Sequence, residues 1–165
     1  GYPNGKGFPA FSILYNTSSR HKSIAEAIQQ MWKTNLGINC TLKQEEWGVY
    51  LDDLTNLNYQ TARRGWIGDY VDANTFMDMW VTGSGNNDTG FSSKQYDADI
   101  AKAKVTTDPK IRMKLMHDAE NILMKEFPIA PIYYYTHPIL LKSKVKGLVL
   151  STLGFVDWKN ATISG

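Results

Sequence analysis

The organisation of this chain is clearest in residues 11–42, which read FSILYNTSSRHKSIAEAIQQMWKTNLGINCTL. Residues 11–15 are short, apolar and aromatic, as expected for a buried strand. Apolar side chains then recur at helical spacing over residues 24–36, and Gly37 follows the last turn as a helix terminator. Residues 38–42 alternate apolar and polar side chains with the period of two that is typical of a strand. Strand, helix and strand within about 35 residues predict a βαβ crossover unit.

The pattern of strands and helices continues beyond this unit. We expect residues 62–72 to be a strand end that opens into a loop, and residues 82–90 to be a loop rich in glycine and asparagine. Because strands and helices alternate without repeats or linkers, we predict an α/β fold, a mixed sheet flanked by helices, in a single domain over residues 1–165. Helices are expected at residues 47–56, 74–80, 94–104 and 109–127, and strands at residues 128–135, 138–142 and 145–150.

Composition excludes several classes of partner. The 165 residues are 42% hydrophobic, enough for a real core, and the net charge of +2 is too small to predict a nucleic-acid or anionic-membrane partner. Cys40 is the only cysteine, so it forms no disulfide within the chain, and we expect it to be buried. We expect neither a membrane-spanning segment nor a signal peptide, and the turn-rich start at Gly1 is expected for a cut within a longer protein.

Asp69 is the leading candidate for a ligand contact. It lies between Trp66 and Tyr70 in a glycine-rich stretch, where a carboxylate is costly to desolvate unless it meets a cation or several donors. Asp69 is therefore a candidate receptor for an ammonium group. The alternative is a structural acid that caps the helix expected near Asn74, a role that the position of Asp72 fits better.

The same stretch of sequence allows a catalytic alternative. Asp69 and Asp72 could form the carboxylate pair of a hydrolase, although nothing in the sequence fixes their spacing across a ligand. The three histidines, His21, His117 and His137, have no serine or cysteine in a recognisable nucleophile setting. The acids show no metal-ligand spacing, so neither a metal nor another cofactor is expected.

Two further groups of side chains suit a polar cleft. Arg63 and Arg64 are neighbours on an expected strand, so only one of them can face a cleft and bind a carboxylate, while an ion pair with a nearby acid is the structural alternative. Tyr133 and Tyr135 are expected to share one strand face, with Tyr134 on the other. Their hydroxyl groups need polar partners, which a core or a cleft could provide.

Motifs in order along the chain resemble one known family. The segments are Gly1–Pro9, Tyr15–Thr17, His21–Lys22, Ile24–Lys33, Asn35–Ile38, Gln44–Trp47, Arg63–Tyr70, Asn86–Phe91, Tyr96–Asp97 and Pro131–Tyr135. Together they resemble the oligopeptide-binding proteins, family 5 of the bacterial extracellular solute-binding proteins, which serve peptide ABC importers. The resemblance implies a type II periplasmic-binding-protein-like fold. It also implies that this chain is most of the C-terminal lobe of a two-lobed protein.

The resemblance assigns roles to seven residues. It implies that Asp69 pairs with the α-ammonium of a peptide and that Gly65 and Ile67 bind the peptide main chain. Trp66 is then expected to line a side-chain pocket, and Arg63 to meet the carboxylate of a short peptide. Tyr133 and Tyr135 complete the set as ligand-lining residues. The family has a second arginine nine residues before the one at Arg63, and this chain has Leu54 at that position.

The expected function is therefore oligopeptide binding without catalysis. The implied partners are the peptide, the missing N-terminal lobe and the membrane permease of an ABC importer. The resemblance places the protein outside the cytoplasm, either in the periplasm or lipid-anchored on the outer face of the membrane. Because some family members carry metal chelates, haem or sugars, a non-peptide ligand remains the main alternative.

Overall fold

The computed structural model describes residues 1–165 and divides them into two units. Unit 1 comprises Gly1–Gly65 and Asp88–Gly90, and unit 2 comprises Trp66–Asn87 and Phe91–Gly165. Each unit has its own buried side chains. The expectation of a single domain over residues 1–165 stays a prediction.

Unit 1 is a parallel sheet with two connecting helices. Strands β1 (Ser12–Asn16), β2 (Thr41–Glu45) and β3 (Thr61–Ala62) lie in the order β2-β1-β3, and both pairings are parallel. Helix α1 (Ser19–Leu36) joins β1 to β2, and helix α2 (Trp47–Thr55) joins β2 to β3. The predicted βαβ crossover is confirmed.

The two faces of β1 explain its continuous apolar sequence. Ile13 and Tyr15 are buried with Ala25 of α1 and with Cys40, while Leu14 is buried on the other side with α2. A central strand of a parallel sheet is covered on both faces, so it needs apolar residues at every position rather than at alternate ones. The expected burial of Cys40 is confirmed.

The end of α1 shifts the start of β2. Gly37 has φ 68° and terminates the helix, and the Ile38 N–H donates to the Trp32 carbonyl, so Ile38 belongs to the helix cap. The ladder to β1 begins only at Thr41, and the prediction that the strand starts at residue 38 is wrong for this reason. A side chain at Gly37 would also collide with the Asn4 carbonyl oxygen, 2.2 Å from an added Cβ.

Unit 2 has a core between two helices and a looped segment. Helices α3 (Lys94–Val105) and α4 (Pro109–Glu126) pack on each other and on two short 3-10 turns, Ala73–Phe76 and Asp78–Trp80. These turns replace the single short helix that was predicted for residues 74–80. Asp108 is the N-cap of α4, because its carboxylate accepts from two backbone N–H groups of the first turn.

The C-terminal part of unit 2 consists of two small antiparallel ladders. Strand β4 (Val145–Lys146) pairs with β7 (Thr162–Ile163), and β5 (Val149–Leu150) pairs with β6 (Val156–Asp157). The α/β class is confirmed, with parallel and antiparallel strands in separate sheets. No helix of the chain has the length and apolar character needed to cross a membrane.

Two predicted strands are absent from the C-terminal part. Residues 128–135 and 138–142 form no strand and pair with no other part of the chain in a sheet. Pro128 and Pro131 lack the N–H groups that a ladder needs, and residues 131–142 are exposed throughout. These apolar residues therefore form no strand, because no neighbouring strand is available to pair with them.

Candidate functional site

The loop that carries Asp69 is held by the first 3-10 turn of unit 2. That turn begins at Asp72, whose carboxylate accepts from the Asn74 N–H at 2.8 Å, so the predicted capping role of Asp72 is confirmed. The Asp69 N–H donates to Thr75 Oγ1 at 3.0 Å. Thr75 is fully buried, whereas Asp69 is exposed. The turn thus fixes the backbone of Asp69 while its side chain points to solvent.

The carboxylate of Asp69 is not used by the fold. It makes no hydrogen bond and no ion pair within the chain. Asp72 differs, because its Oδ1 accepts both from Asn74 and from Arg112 Nη2, the latter at 2.7 Å. Of the two acids proposed for a hydrolase, one is therefore committed to structure and one is available.

The aromatic neighbours of Asp69 are tied into unit 2. Trp66 packs against the core cluster between the helices, and its indole Nε1 is buried without a hydrogen-bond partner. The Tyr70 hydroxyl accepts from Asn74 Nδ2 at 2.9 Å and donates to Asp78 Oδ2 at 3.3 Å. Burial raises the pKa of Tyr70 above its ordinary value. The Tyr70 hydroxyl is therefore satisfied, whereas the Trp66 indole N–H has no acceptor.

The backbone of residues 64–68 belongs to no helix and no sheet. No backbone–backbone hydrogen bond involves these residues, and Gly65 and Ile67 are exposed. Gly68 lies against the turn, since a Cβ at this position would come within 3.1 Å of Thr75 Cγ2. The backbone N–H and C=O groups of residues 65–67 are consequently open to pairing with a ligand.

The two arginines of the motif have different environments in unit 1. They follow β3 rather than lying within it, so the prediction that both sit on a strand is wrong: the ladder to β1 ends at Ala62. Arg64 forms an ion pair with Asp88 at 2.9 Å, which is the structural role considered for one of the pair. The Arg63 N–H donates to the Leu14 carbonyl, and its own carbonyl accepts from the Tyr50 hydroxyl.

Arg63 follows the carboxyl end of β3, the sheet edge at which β1 and β2 also end. Asn16 and Glu45 end β1 and β2, and His21 lies in the first turn of α1; together with Arg63 we call them the carboxyl-edge cluster. Asn16 Oδ1, His21 Nδ1 and Glu45 Oε2 are buried without partners. Burial, and next the Arg63 charge, lower the pKa of His21 below its ordinary value, opposed by the Asn16 backbone. The sequence could have indicated this cluster, because it lies at the carboxyl ends of three parallel strands.

Tyr133 and Tyr135 are brought together, although not on a strand. Their rings meet edge to face with centroids 5.2 Å apart, while Tyr134 is 96% exposed. The two rings are in contact, but the strand face that they were predicted to share does not exist. Of the seven predicted site residues, Arg63 and Gly65 belong to unit 1 and the other five to unit 2.

Comparisons with known proteins identify the family to which a chain with this fold belongs. Residues 1–88 match the family of bacterial extracellular solute-binding proteins, family 5 Middle. The chain belongs to this family. It is 40% identical over 156 residues to the dipeptide-binding protein DppE of Bacillus subtilis and 36% identical over 162 residues to the oligopeptide-binding protein OppA of the same organism. These matches cover 94% and 98% of this chain but 29% and 30% of the relatives.

Solved structures confirm the fold. A complex of Haemophilus influenzae OppA with the peptide RPPGFSPFR is 39% identical, with a TM-score of 0.80 over 89% of this chain and 29% of that protein. The unliganded, open murein tripeptide-binding protein MppA has a TM-score of 0.78 at 38% identity, over 84% of this chain and 27% of that protein. The expected type II periplasmic-binding-protein-like α/β fold is confirmed. Because the chain spans about 30% of its relatives, the activity of the whole protein is a matter for proposal.

Proposed function

We propose that this chain is a ligand-binding lobe that takes up oligopeptides for an ABC importer, with Asp69 as the receptor of the peptide α-ammonium. The observation that carries the proposal is the exposed Asp69 carboxylate, which has no partner in the chain although its backbone is fixed. A free carboxylate on a fixed loop is suited to a charged, hydrogen-bonded contact with an ammonium group. Relatives named for dipeptide, oligopeptide and murein-peptide binding support a peptide ligand.

Main-chain pairing is proposed for Gly65 and Ile67. Residues 64–68 lie outside any helix or sheet and have no backbone–backbone hydrogen bonds. A peptide that adds as a strand gains affinity from its main chain whatever its side chains are, which suits a receptor for many peptides. Trp66, with its buried, unpartnered Nε1, is proposed to line a pocket for a peptide side chain.

The remaining site residues are proposed to contact other parts of the ligand. Arg63 can bind the carboxylate of a short peptide through two parallel N–H donors. Tyr133 and Tyr135, which are half-exposed and in mutual contact, provide an aromatic surface with two hydroxyl groups. At the position of the second family arginine this chain has Leu54, which is buried in the unit 1 core. Recognition of the peptide carboxylate is therefore proposed for Arg63 alone.

We propose that the chain binds its ligand without catalysing a reaction. The alternative, a hydrolase that uses Asp69 and Asp72, receives no support. A carboxylate pair would need both acids free to act, but Asp72 is held by Asn74 and Arg112. A non-peptide ligand is the second candidate. It is favoured by one relative, the probable deoxycholate-binding periplasmic protein YgiS of Escherichia coli, 34% identical over 140 residues, which make up 85% of this chain and 26% of that protein.

We propose that the rest of a two-lobed protein covers part of unit 2. No side chain after Leu123 is buried, yet many large apolar side chains from Phe127 onward are exposed. Two-stranded ladders with no core are marginal by themselves. The exposed apolar surface is thus suited to contact with the missing N-terminal lobe, and the permease of the importer completes the proposed partners. The proposed location is outside the cytoplasm, in the periplasm or on a lipid anchor.

The proposal is tested by calorimetric titration of the complete two-lobed protein. A tripeptide with a free amino end is compared with the same tripeptide acetylated at its nitrogen. We expect acetylation to remove most of the affinity, because it removes the charge that Asp69 would meet. Equal binding of both peptides would contradict the role of Asp69, and binding of deoxycholate in place of either peptide would favour the second candidate.

A further inference from the structure

We propose that Thr75 is a positioning residue that sets the selectivity of the Asp69 site for free amino ends. The inference rests on the proposed function and adds to it a residue that would not touch the peptide. Its basis is the contact between the Asp69 N–H and Thr75 Oγ1, at 3.0 Å. Among the backbone groups of residues 64–69, this is the one hydrogen bond made within the chain.

Thr75 is itself firmly held. Its exposed fraction is 1%, and it lies in the 3-10 turn that the Asp72 carboxylate caps. Arg112 of α4 donates to the same carboxylate at 2.7 Å, so the turn is tied to a helix of the unit 2 core. The Asp69 backbone is thereby linked, through Thr75 and its turn, to helix α4 of unit 2.

The two branches of the Thr75 side chain act on neighbouring residues. The hydroxyl accepts from Asp69, and the methyl group lies beside Gly68, where an added Cβ would be 3.1 Å away. Valine would keep this methyl contact and lose the acceptor, whereas serine would keep the acceptor and lose the methyl group. The two substitutions therefore separate hydrogen bonding from packing.

A fixed backbone matters because the contact of Asp69 with an ammonium group depends on geometry. If the carboxylate had to be ordered when the peptide binds, part of the interaction would be lost as entropy. An acetylated peptide makes no such contact, so ordering of Asp69 does not affect its affinity. Loss of the Thr75 hydroxyl should accordingly weaken free peptides more than acetylated ones.

The experiment measures the affinities of free and N-acetylated tripeptide for the complete two-lobed protein and for Thr75→Val, Thr75→Ser and Thr106→Val. Thr106 is the matched control, since its hydroxyl donates to the Lys102 carbonyl at the end of α3, away from the Asp69 loop. We expect Thr75→Val to reduce the ratio of free to acetylated affinity by about three- to tenfold, the effect of one lost hydrogen bond. Thr75→Ser should restore the ratio, and Thr106→Val should leave it unchanged.

Two results would overturn the inference. One is a Thr75→Val variant that keeps the wild-type ratio; the other is a variant that weakens both peptides equally, which would indicate a structural role alone. Failure of the proposed function is distinguishable from both, because the wild-type protein itself would then bind the two peptides alike.

Discussion

Arg112 and Asp72 join helix α4 to the loop that carries the candidate site. Arg112 Nη2 donates to Asp72 Oδ1 at 2.7 Å, and the same oxygen accepts from the Asn74 N–H at 2.8 Å. These two hydrogen bonds hold the pKa of Asp72 below its ordinary value of 3.8, and the bond from Arg112 has the larger effect. One carboxylate therefore serves both as a helix cap and as an ion-pair partner.

The first prediction concerns the acid stability of this link. Arg112→Gln should lower the free energy of unfolding at pH 7 by about 0.5–1 kcal/mol, as expected for a partly exposed ion pair. Because the folded pKa of Asp72 lies below the unfolded one, the contribution of Arg112 is present above pH 3.8 and is lost as the pH falls through the folded pKa. Urea unfolding between pH 7 and 3 measures this difference.

A matched control for that prediction is Lys114→Gln, which breaks an exposed ion pair with Asp118 on the same helix. Lys114→Gln should lower the free energy of unfolding at pH 7 by less than Arg112→Gln does. If the two variants were equally stable at neutral pH, the link between α4 and the loop would carry no measurable stability.

The second prediction concerns the core of unit 2. The Tyr96 hydroxyl donates to the Met77 carbonyl at 2.6 Å, and Tyr96 is fully buried. Tyr96→Phe leaves that carbonyl without its donor and should cost about 1–3 kcal/mol of unfolding free energy. Tyr134→Phe serves as the control, since Tyr134 is 96% exposed and its substitution should be neutral. Equal stability of the two variants in thermal unfolding would refute the role of this hydrogen bond.

The third prediction separates the two arginines of the motif. Arg63→Gln should reduce the preference for a tripeptide with a free carboxyl end over its amidated form, because the proposal gives Arg63 that contact. Arg64→Gln should leave this preference unchanged, since Arg64 is engaged by Asp88. Titration of both peptides against both variants measures the two preferences. A loss of preference in Arg64→Gln alone would reverse the assignment.

The fourth prediction concerns His21. Its pKa is lowered in the folded state, first by burial and then by the Arg63 charge, so the unfolded chain binds its proton more readily. Stability should thus decrease as the pH falls from the unfolded value of 6.5 toward the lower folded pKa. His21→Gln should remove this part of the pH dependence between pH 7.5 and 5.5, as measured by urea unfolding. His117→Gln, at an exposed position on α4, should retain it.

Much of unit 1 was predictable because local patterns and tertiary packing agree there. The run from Phe11 to Tyr15 predicted a buried strand, and the structure buries Leu14 on one face and its neighbours on the other. The helix cap at Asp108 and the turn cap at Asp72 were predictable for a similar reason, because both depend on short-range hydrogen bonds.

Prediction was weaker where a segment depends on distant partners. Residues 128–135 have a strand-like composition but no strand beside them, and strands β6 and β7 are only two residues long. The carboxyl-edge cluster was also missed, because Asn16, His21, Glu45 and Arg63 come from four separate segments. For the candidate site, the sequence singled out Asp69, but its fixation by Thr75 depends on a buried hydroxyl that no motif revealed.

The most direct test of the central claim combines one substitution with one ligand modification. Asp69→Asn and wild-type protein, both in the complete two-lobed form, are titrated with the free and the N-acetylated tripeptide, and Asp118→Asn on the exposed face of α4 is the control. We predict that Asp69→Asn lowers the affinity for the free peptide to the level of the acetylated one and leaves the acetylated peptide unaffected. Retention of the wild-type affinity for the free peptide in Asp69→Asn would contradict the claim that Asp69 receives the α-ammonium.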